Sequence, residues 1–350
     1  MRLLICAQAV DSDDPTLSFF LGWIKELASR YESIHIICLK EGSHDGLPKH
    51  VHVHSLGKES ATGSRLAKRV RYVSRLWKLI KTLDAEFDAV FVHQNQEYIL
   101  SAGFLWRRMK KPVYFWRNHY QGSIFTSIAA RFCTKIFYTS DYSYTRRYKN
   151  AMQMPVGVDT ELFSPKPGVE RPRRSVVFLA RIAPSKRPHV LLEALGVLYG
   201  QHVPFAASIY GDPLPKDEAY HARLKERVQA GGLAEYIRFY DGITHGEVAD
   251  IFRKNDIFVN LSKSGMLDKT IFEAAASGCV VLIASKDLKD RVDPHSFIDS
   301  ENADDIAKAL RALLQFTEAE RKNAAEMLRQ YVIREHSLRR LGELLAAQIA

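Results

Sequence analysis

NLSKSGMLDKTIFEAAASGCVVLIAS, residues 260–285, shows the clearest strand–turn–helix–strand pattern in the chain. An apolar run ends at Asn260, a polar turn follows, and a second apolar run begins at Val280. Asp268 is a candidate N-cap, because a short carboxylate accepts the backbone N–H groups of a first helical turn. Gly278 stands where a residue in the left-handed conformation would end the helix. A helix that begins in this way presents N–H groups and a positive dipole end to an anion.

The same succession of apolar strands and amphipathic helices extends outward from this stretch in both directions. Strands are predicted over residues 2–9, 34–39, 51–56, 89–93, 112–116 and 136–140, and again from 176 and over 205–210 and 256–260, with a strand and turn together at 237–243. Repeated strand–helix units are typical of a doubly wound parallel sheet. The strand at 136–140 is expected to close the first sheet, and the proline-rich, charged segment 166–174 predicts a linker. The sequence therefore predicts an α/β protein of two domains.

Composition limits the class of protein further. A length of 350 residues suits two domains, and a hydrophobic fraction of 46% is enough for two cores. The sequence has no apolar run of about 18 residues that would span a bilayer. The apolar N-terminus, MRLLICAQAV, lacks a cleavage-site pattern and predicts a first buried strand. The 4 cysteines have neither disulfide nor metal-ligand spacing, which favours a reducing, cytoplasmic location.

The formal net charge of +10 predicts an anionic partner. Nucleic acid, an anionic membrane surface and a phosphorylated small molecule all fit this charge. The sequence has no zinc-finger spacing, RNP-like motif or heptad pattern, so nucleic acid is not expected as a partner.

The most basic segment is SRLAKRVRYVSRLWKLIKT, residues 64–82. Its apolar side chains fall at helical spacing on one stripe: Leu66, Val70, Val73, Trp77 and Ile80. Such a helix either covers a sheet or lies peripherally on the inner, anionic face of a membrane. Covering the sheet is the favoured interpretation, because one apolar stripe cannot serve the core and the lipid at once.

Several motifs resemble those of glycosyltransferase family 4, whose retaining enzymes have the GT-B fold. They are the turn and helix around Glu273, the strand and turn FLARIAPSK at 178–186, and the landmark PVGVD at 155–159 with FSP at 163–165. The resemblance covers essentially the whole chain. It implies two Rossmann-like, doubly wound domains that face a central cleft. The expected domains are an acceptor-side domain at 1–165, a donor domain at 175–335, and a C-terminal helix at 336–350 that crosses back to the first.

The resemblance assigns a donor-binding role to residues of the second domain. In the family, helix amides hold the donor diphosphate, two cations matched by Arg181 and Lys186 face it, and a Glu matched by Glu273 hydrogen-bonds the ribose. His119 matches a His near the sugar and the diphosphate, and His93 is a weaker candidate. Catalytic roles are expected for His119, Arg181 and Lys186. The other positions expected at the donor are Gly211, Asp212, Ile243, Gly265, Met266, Leu267, Asp268, Lys269 and Thr270.

The sequence departs from the family pattern at two positions in these motifs. The first Glu of the family's E-x7-E motif, which contacts the sugar, falls on Gly265, and Ala180 replaces the Gly before Arg181. Asp11 and Asp13 form a D-x-D triplet, which holds a metal-bound diphosphate in the other large glycosyltransferase fold. Here the triplet directly follows the first strand, so an exposed acidic loop is the favoured interpretation.

The function implied is that of a retaining hexosyltransferase. It would move a sugar from a nucleotide diphosphate donor to a glycan or lipid-linked acceptor. No cofactor and no metal are expected, because cations and helix dipoles stabilise the leaving diphosphate. Two alternatives stay open: a non-catalytic protein that binds sugar nucleotides, which would account for the missing first Glu, and a sugar-nucleotide epimerase of the same fold.

Overall fold

The computed structural model describes residues 1–14, 17–265 and 267–349, and the chain forms two compact units. Unit 1 comprises Met1–Gly157 together with Leu338–Ala350, and unit 2 comprises Val158–Ser337. In the described ranges, no helix combines the length and the apolar character that a membrane span requires.

Unit 1 is built on a seven-stranded sheet with the order β3-β2-β1-β4-β5-β6-β7, and every pair of neighbours is parallel. Its strands are β1 (Arg2–Val10), β2 (Ser33–Glu41), β3 (Val51–Ser55), β4 (Ala89–His93), β5 (Val113–Trp116), β6 (Lys135–Tyr138) and β7 (Ala151–Gln153). The expectation that β6 closes the sheet is wrong, because β7 pairs with its outer edge. With three residues, β7 is too short to show an apolar pattern in the sequence.

Helices cover both faces of this sheet, because the crossovers after β1 and after β3 lie on opposite sides. They include α1 (Phe19–Ala28), α2 (Arg65–Thr82), α3 (Gln96–Arg108) and α4 (Ile124–Ala130). Trp23 and Ile24 of α1 belong to the core on one face. Leu76 and Ile80 of α2 and Trp106 of α3 belong to the core on the other.

Unit 2 contains a five-stranded parallel sheet with the order β10-β9-β8-β11-β12. Its strands are β8 (Ser175–Leu179), β9 (Ala206–Tyr210), β10 (Ile237–Tyr240), β11 (Ile257–Asn260) and β12 (Val280–Ile283). Its helices include α5 (Pro188–Gly200), α6 (Glu218–Ala230), α7 (His245–Arg253), α8 (Lys269–Ala276), α9 (Ala303–Leu314) and α10 (Glu318–His336). The strand order changes direction between β8 and β11. The prediction of two doubly wound, Rossmann-like parallel sheets is confirmed.

The last helix, α11 (Leu338–Gln348), belongs to unit 1. Leu341 and Leu345 share the core of α1 with Trp23, whose indole N–H donates to the carbonyl of Gly157 at 3.1 Å. The C-terminal segment is therefore tied into the core of unit 1.

Gly278, with φ of 87°, follows the C-cap Ser277 of α8, so the prediction of a left-handed residue at this helix end is confirmed. Arg171 donates to the carbonyl oxygens of Ser277, at 2.7 Å, and of Gly278, and Arg329 Nε donates to that of Ala276 at 3.2 Å. Guanidinium groups thus bind the last carbonyls of α8, which a helix cannot satisfy internally.

Segment 166–174, expected to be a linker, lies within unit 2 and contains Arg171. Besides α8, Arg171 contacts α7, because its Nε donates to the carbonyl oxygen of Arg253 at 3.3 Å. This segment is therefore attached to the two helices by hydrogen bonds.

Candidate functional site

Asp268 occupies the N-cap position of α8, but its carboxylate makes no hydrogen bond to the N–H groups of that helix. The carboxylate instead accepts hydrogen bonds from Lys186 Nζ at 2.7 Å, Ser262 Oγ at 2.6 Å and Asn260 Nδ2 at 3.0 Å. The expected side-chain cap is wrong, because the ammonium group of Lys186 is a stronger, charged partner for the carboxylate. The first backbone N–H groups of α8 therefore donate no hydrogen bond to the carboxylate of the N-cap residue.

The Lys186–Asp268 pair is largely withdrawn from solvent, with side-chain exposures of 13% and 17%. Burial alone raises the pKa of the Asp268 carboxyl. The charge of Lys186 and the hydrogen bonds from Lys186, Ser262 and Asn260 outweigh burial, so that this pKa lies below its ordinary value. Lys186 ends the short turn Pro184–Lys186 after β8, and α8 follows β11. The pair therefore stands at the switch point of the sheet, where open α/β sheets bind ligands.

Three loops at this edge of the sheet are joined by close approach and by hydrogen bonds. Gly211, with φ of 139°, follows β9, and a β-carbon at this position would lie 2.0 Å from the carbonyl oxygen of Ala180. Asp212 accepts the N–H of Ile182 through its backbone carbonyl at 3.0 Å, and the N–H of Gly242 through its carboxylate at 3.0 Å. Only glycine therefore permits the loop after β9 to approach the loop after β8 so closely.

The structure places the other predicted residues of these loops as follows. The side chain of Arg181 is exposed, and Ile243 and Thr270 are half-buried. Met266, which is also expected at the donor, lies outside the described residues.

Gly265 and Leu267 give the turn before α8 its conformation. Gly265 has φ of 97°, and Leu267, which is buried, has φ of 43°. A glutamate at position 265 would be strained in this left-handed conformation. The replacement of the first Glu therefore accompanies a turn that favours glycine at this position.

Glu273 points away from the surface, and its partner is a residue that the sequence did not suggest. Oε1 of Glu273 lies 2.9 Å from Nε2 of His245, the first residue of α7. The capping box formed by Thr244 and Glu247 marks the start of α7 in the sequence. Nothing in the sequence pairs His245 with a carboxylate 28 positions away.

Lys269 is half-buried near Glu273 and Asp159. Burial lowers the pKa of the Lys269 ammonium group to about 7, and the charges of Glu273 and Asp159 oppose this shift without cancelling it. The landmark that contains Asp159 thus contributes a charge to the beginning of α8. Near neutral pH, Lys269 is poised between its charged and neutral forms.

His119, in unit 1, follows β5 and is half-buried. The N–H of Gln121 donates to Nδ1 at 2.9 Å, so the neutral ring carries its proton on Nε2. Burial, with a contribution from the charge of Arg117, lowers the pKa of His119 despite the opposing effect of the Gln121 carbonyl oxygen, which lies 3.3 Å from Nδ1. His119 is therefore a neutral hydrogen-bond donor at pH 7. His93 is buried and stacks on Phe20 with the ring centroids 4.3 Å apart.

The D-x-D triplet is only partly exposed. Asp11 is buried and its Oδ2 lies 2.8 Å from Lys40 Nζ, whereas Asp13 is exposed. The hydrogen bond from Lys40 lowers the pKa of Asp11. The expectation of an exposed acidic loop is therefore wrong for Asp11, because Lys40 on β2 pairs with it. Among the described residues, no group of three or more His, Cys, Asp or Glu side chains is arranged to hold a metal ion.

The apolar stripe of α2 divides between core and solvent. Ile80 is buried, whereas Leu66 is 73% exposed, Val70 61% and Trp77 37%. The prediction of one continuous stripe against the sheet is therefore wrong for the first half of α2, which contributes no buried residue to the core. The indole of Trp77 meets the exposed ring of Phe104 on α3 edge to face at 5.5 Å.

Two regions of the chain match known protein families. Residues 159–331 match the family Glycosyl transferases group 1, and residues 12–130 match the family Glycosyl transferase 4-like. Over 175 residues the chain is 30% identical to phosphatidyl-myo-inositol mannosyltransferase of Mycolicibacterium smegmatis, a match that covers 47% of this chain and 43% of that protein. Over 146 residues it is 31% identical to D-inositol 3-phosphate glycosyltransferase of Streptomyces scabiei, covering 37% and 32%. The matches thus span less than half the length of these relatives.

The structure is similar over its whole length to that of the Anabaena protein HepE in complex with UDP-glucose. The TM-score is 0.79 at 16% sequence identity, and the likeness covers 100% of this chain and 99% of that one. At this level of identity the likeness concerns the fold alone, and the prediction of a GT-B fold is confirmed.

Proposed function

We propose that this chain, which matches the family Glycosyl transferases group 1 over residues 159–331 and the family Glycosyl transferase 4-like over residues 12–130, is an enzyme that transfers a sugar from a nucleotide diphosphate donor. The observation that carries the proposal is the meeting of Lys186 with the N-terminal end of α8 at the switch point between β8 and β11. A cation and helix amides stabilise the negative charge that grows on a departing diphosphate.

Asp268 governs how Lys186 meets the donor. An ammonium group has three N–H donors, and those of Lys186 now point to the two oxygens of Asp268 and, at 3.3 Å, to Ser262 Oγ. In the proposed complex, a diphosphate oxygen accepts one of these N–H groups while Asp268 keeps another. Arg181, which is exposed at the end of β8, supplies the second cation.

The stereochemistry and the acceptor are the finer parts of the proposal. The resemblance to family 4 supports retention at the anomeric carbon and a reaction without a metal. The relatives are named for mannosyl or glycosyl transfer with phosphatidyl-myo-inositol or D-inositol 3-phosphate. These names support a hydroxyl-rich acceptor, free or lipid-linked, as in glycolipid or polysaccharide biosynthesis. The resemblance to family 4 supports His119 as a residue that lies near the reacting sugar.

A non-catalytic sugar-nucleotide binder is the second candidate. It is favoured by Gly265 in place of the first Glu and by the neutralisation of Lys186 by Asp268. Isothermal titration with UDP-, GDP- and ADP-sugars, combined with assays of donor hydrolysis and epimerisation, separates the candidates. Binding with donor hydrolysis supports the transferase, binding without chemistry supports the sensor, and conversion to an epimer supports an epimerase. No binding of any donor would reject all three.

We also propose a peripheral contact between unit 1 and an anionic membrane through α2. Its exposed apolar residues are Leu66, Val70 and Trp77, and Trp77 contacts the exposed ring of Phe104. The cations of the helix are Arg65, Lys68, Arg69, Arg71, Arg75, Lys78 and Lys81. Each cation near such a surface contributes about 1 kcal/mol, and burying an apolar side chain adds about 1.5–3 kcal/mol.

Sedimentation with liposomes tests this contact. The protein is expected to pellet with vesicles that contain phosphatidylserine or phosphatidylglycerol and to remain in solution with phosphatidylcholine alone. The double variant Leu66→Ser/Val70→Ser is expected to bind at least about 10-fold more weakly. Val169→Ser, which alters an exposed valine of unit 2, is the matched control. Equal pelleting with both kinds of vesicle, or with neither, contradicts the hypothesis.

A further inference from the structure

The Glu273–His245 pair has a marked difference in exposure between its two members. The side chain of Glu273 is 4% exposed, whereas that of His245 is 24% exposed. We propose that His245, and not Glu273, makes the polar contact with the ribose of the donor, and that Glu273 is a positioning residue that acts through the imidazole. This inference rests on the proposed function, in which unit 2 binds a nucleoside diphosphate.

The proton on the imidazole is located by the chemistry of the pair. A carboxylate only accepts hydrogen bonds, so Nε2 of His245 donates to Oε1 of Glu273 across 2.9 Å. In the neutral ring, Nδ1 is then a hydrogen-bond acceptor. Within the part of the chain that the structure describes, the ring makes no second hydrogen bond. A ribose hydroxyl is a donor of the kind that Nδ1 accepts.

The protein holds the ring in place from other directions as well. The ring of Phe163, fully buried, meets it edge to face with the centroids 5.0 Å apart. The backbone at His245 is fixed by the capping box, in which the N–H and the hydroxyl of Thr244 donate to Glu247 at 2.9 and 2.7 Å. A ring fixed on several sides loses little further freedom when a ligand binds.

The position of His245 suits a nucleotide whose phosphates lie at Lys186. Glu273 follows Asp268 by five positions on α8, which corresponds to a rise of about 7.5 Å along the helix axis. Lys186 contacts Asp268 at the beginning of α8, and His245 contacts the same helix farther along, at Glu273. The cation and the imidazole, which belong to other elements, therefore contact α8 at two places about 7.5 Å apart along its axis, a separation that suits neighbouring parts of one ligand.

Calorimetric titration with deoxynucleotides tests the contact directly. UDP, GDP and ADP are titrated into the wild-type protein to find the preferred base, and the 2′-deoxy and 3′-deoxy forms of that nucleotide are then compared with it. One of the two is expected to bind about 10-fold more weakly, the effect of losing one hydrogen bond of about 1.4 kcal/mol. In His245→Ala the parent nucleotide is expected to bind about 10-fold more weakly, and the penalty for the missing hydroxyl is expected to vanish.

Glu273→Gln separates the two members of the pair. The amide oxygen of glutamine still accepts from Nε2, so the penalty for the missing hydroxyl is expected to persist and affinity to fall less than about 3-fold. A direct contact between the carboxylate and the ribose predicts the reverse: Glu273→Gln would remove the penalty and His245→Ala would keep it. That result overturns the inference.

Two further results complete the test. His245→Gln, whose amide both donates and accepts, is expected to restore part of the penalty, with circular dichroism to confirm that each variant folds. If His245→Ala and His245→Gln both fold and still bind the deoxynucleotide more weakly by the wild-type factor, the inference is wrong. The proposed function is not affected by that result. Failure of the wild-type protein to bind any of the three nucleotides overturns the proposed function together with the inference.

Discussion

The ammonium nitrogen of Lys186 lies 2.7 Å from each carboxylate oxygen of Asp268, where α8 begins. Asp268 holds the N-cap position, but its charge serves Lys186 rather than the helix amides. A diphosphate that binds at this end of α8 must therefore share Lys186 with a carboxylate. The pair influences both the stability of the turn and the charge offered to the donor.

Replacing Lys186 by alanine is expected to lower the turnover number on the order of 100-fold or more, because a preorganised electrostatic donor to the leaving group is lost. Asp268 would also lose its charged partner, which is expected to cost about 1–3 kcal/mol of unfolding free energy. Steady-state kinetics and urea unfolding measure the two effects. Lys322→Ala, at an exposed lysine of the same unit, is the control. A folded Lys186→Ala variant with wild-type turnover contradicts the assignment.

Asp268→Asn is expected to remove a pH-dependent part of the stability. The pKa of Asp268 is lower in the folded protein than the ordinary value of 3.8, so the ionised carboxyl stabilises the fold above that value. This contribution is lost as pH falls through the folded pKa. The wild type is therefore expected to exceed Asp268→Asn in stability at pH 7, with a difference that shrinks below pH 4. Urea unfolding across this range measures it, and a constant difference contradicts the prediction.

Binding of a nucleoside diphosphate is expected to be accompanied by proton uptake at Lys269. Its pKa is lowered to about 7 by burial, so part of the population is neutral at pH 7.5. A nearby diphosphate favours the ammonium form, and affinity is therefore expected to fall as pH rises from 7 to 9.

Calorimetry in two buffers of different ionisation enthalpy measures this proton uptake. Lys269→Met is expected to bind more weakly at pH 7 and to lose the uptake, while Lys254→Met, at an exposed lysine, keeps it. Equal heats for the wild type in both buffers rule out the coupling.

Activity is expected to survive an excess of EDTA, because Lys186 and the end of α8 are proposed to serve the leaving group. Donor hydrolysis or transfer is measured after chelation, and again after addition of manganese or magnesium. Loss of turnover that a metal restores would contradict this prediction and would make Asp11 and Asp13 candidate ligands, despite the contact between Asp11 and Lys40.

The sequence predicts the parts of this molecule that depend on local order. Apolar strands in regular succession indicate the two parallel sheets. A recognised motif, such as the turn before α8, also indicates where the helix beside it begins. Contacts between distant positions are not legible. Lys186 and Asp268 are 82 positions apart, and His245 and Glu273 are 28 apart. The apolar stripe of α2 was predictable as a pattern, but its division between core and solvent depends on tertiary packing, which the pattern does not specify.

The guanidinium of Arg171 has a consequence for dissecting the protein. A fragment of unit 2 that starts at the first strand, Ser175, would look complete by its secondary structure. It would lack the donor that binds the terminal carbonyls of α8 and a carbonyl of α7. Excision at that point is expected to loosen the helix on which the nucleotide is proposed to rest, so an autonomous nucleotide-binding fragment has to retain Arg171.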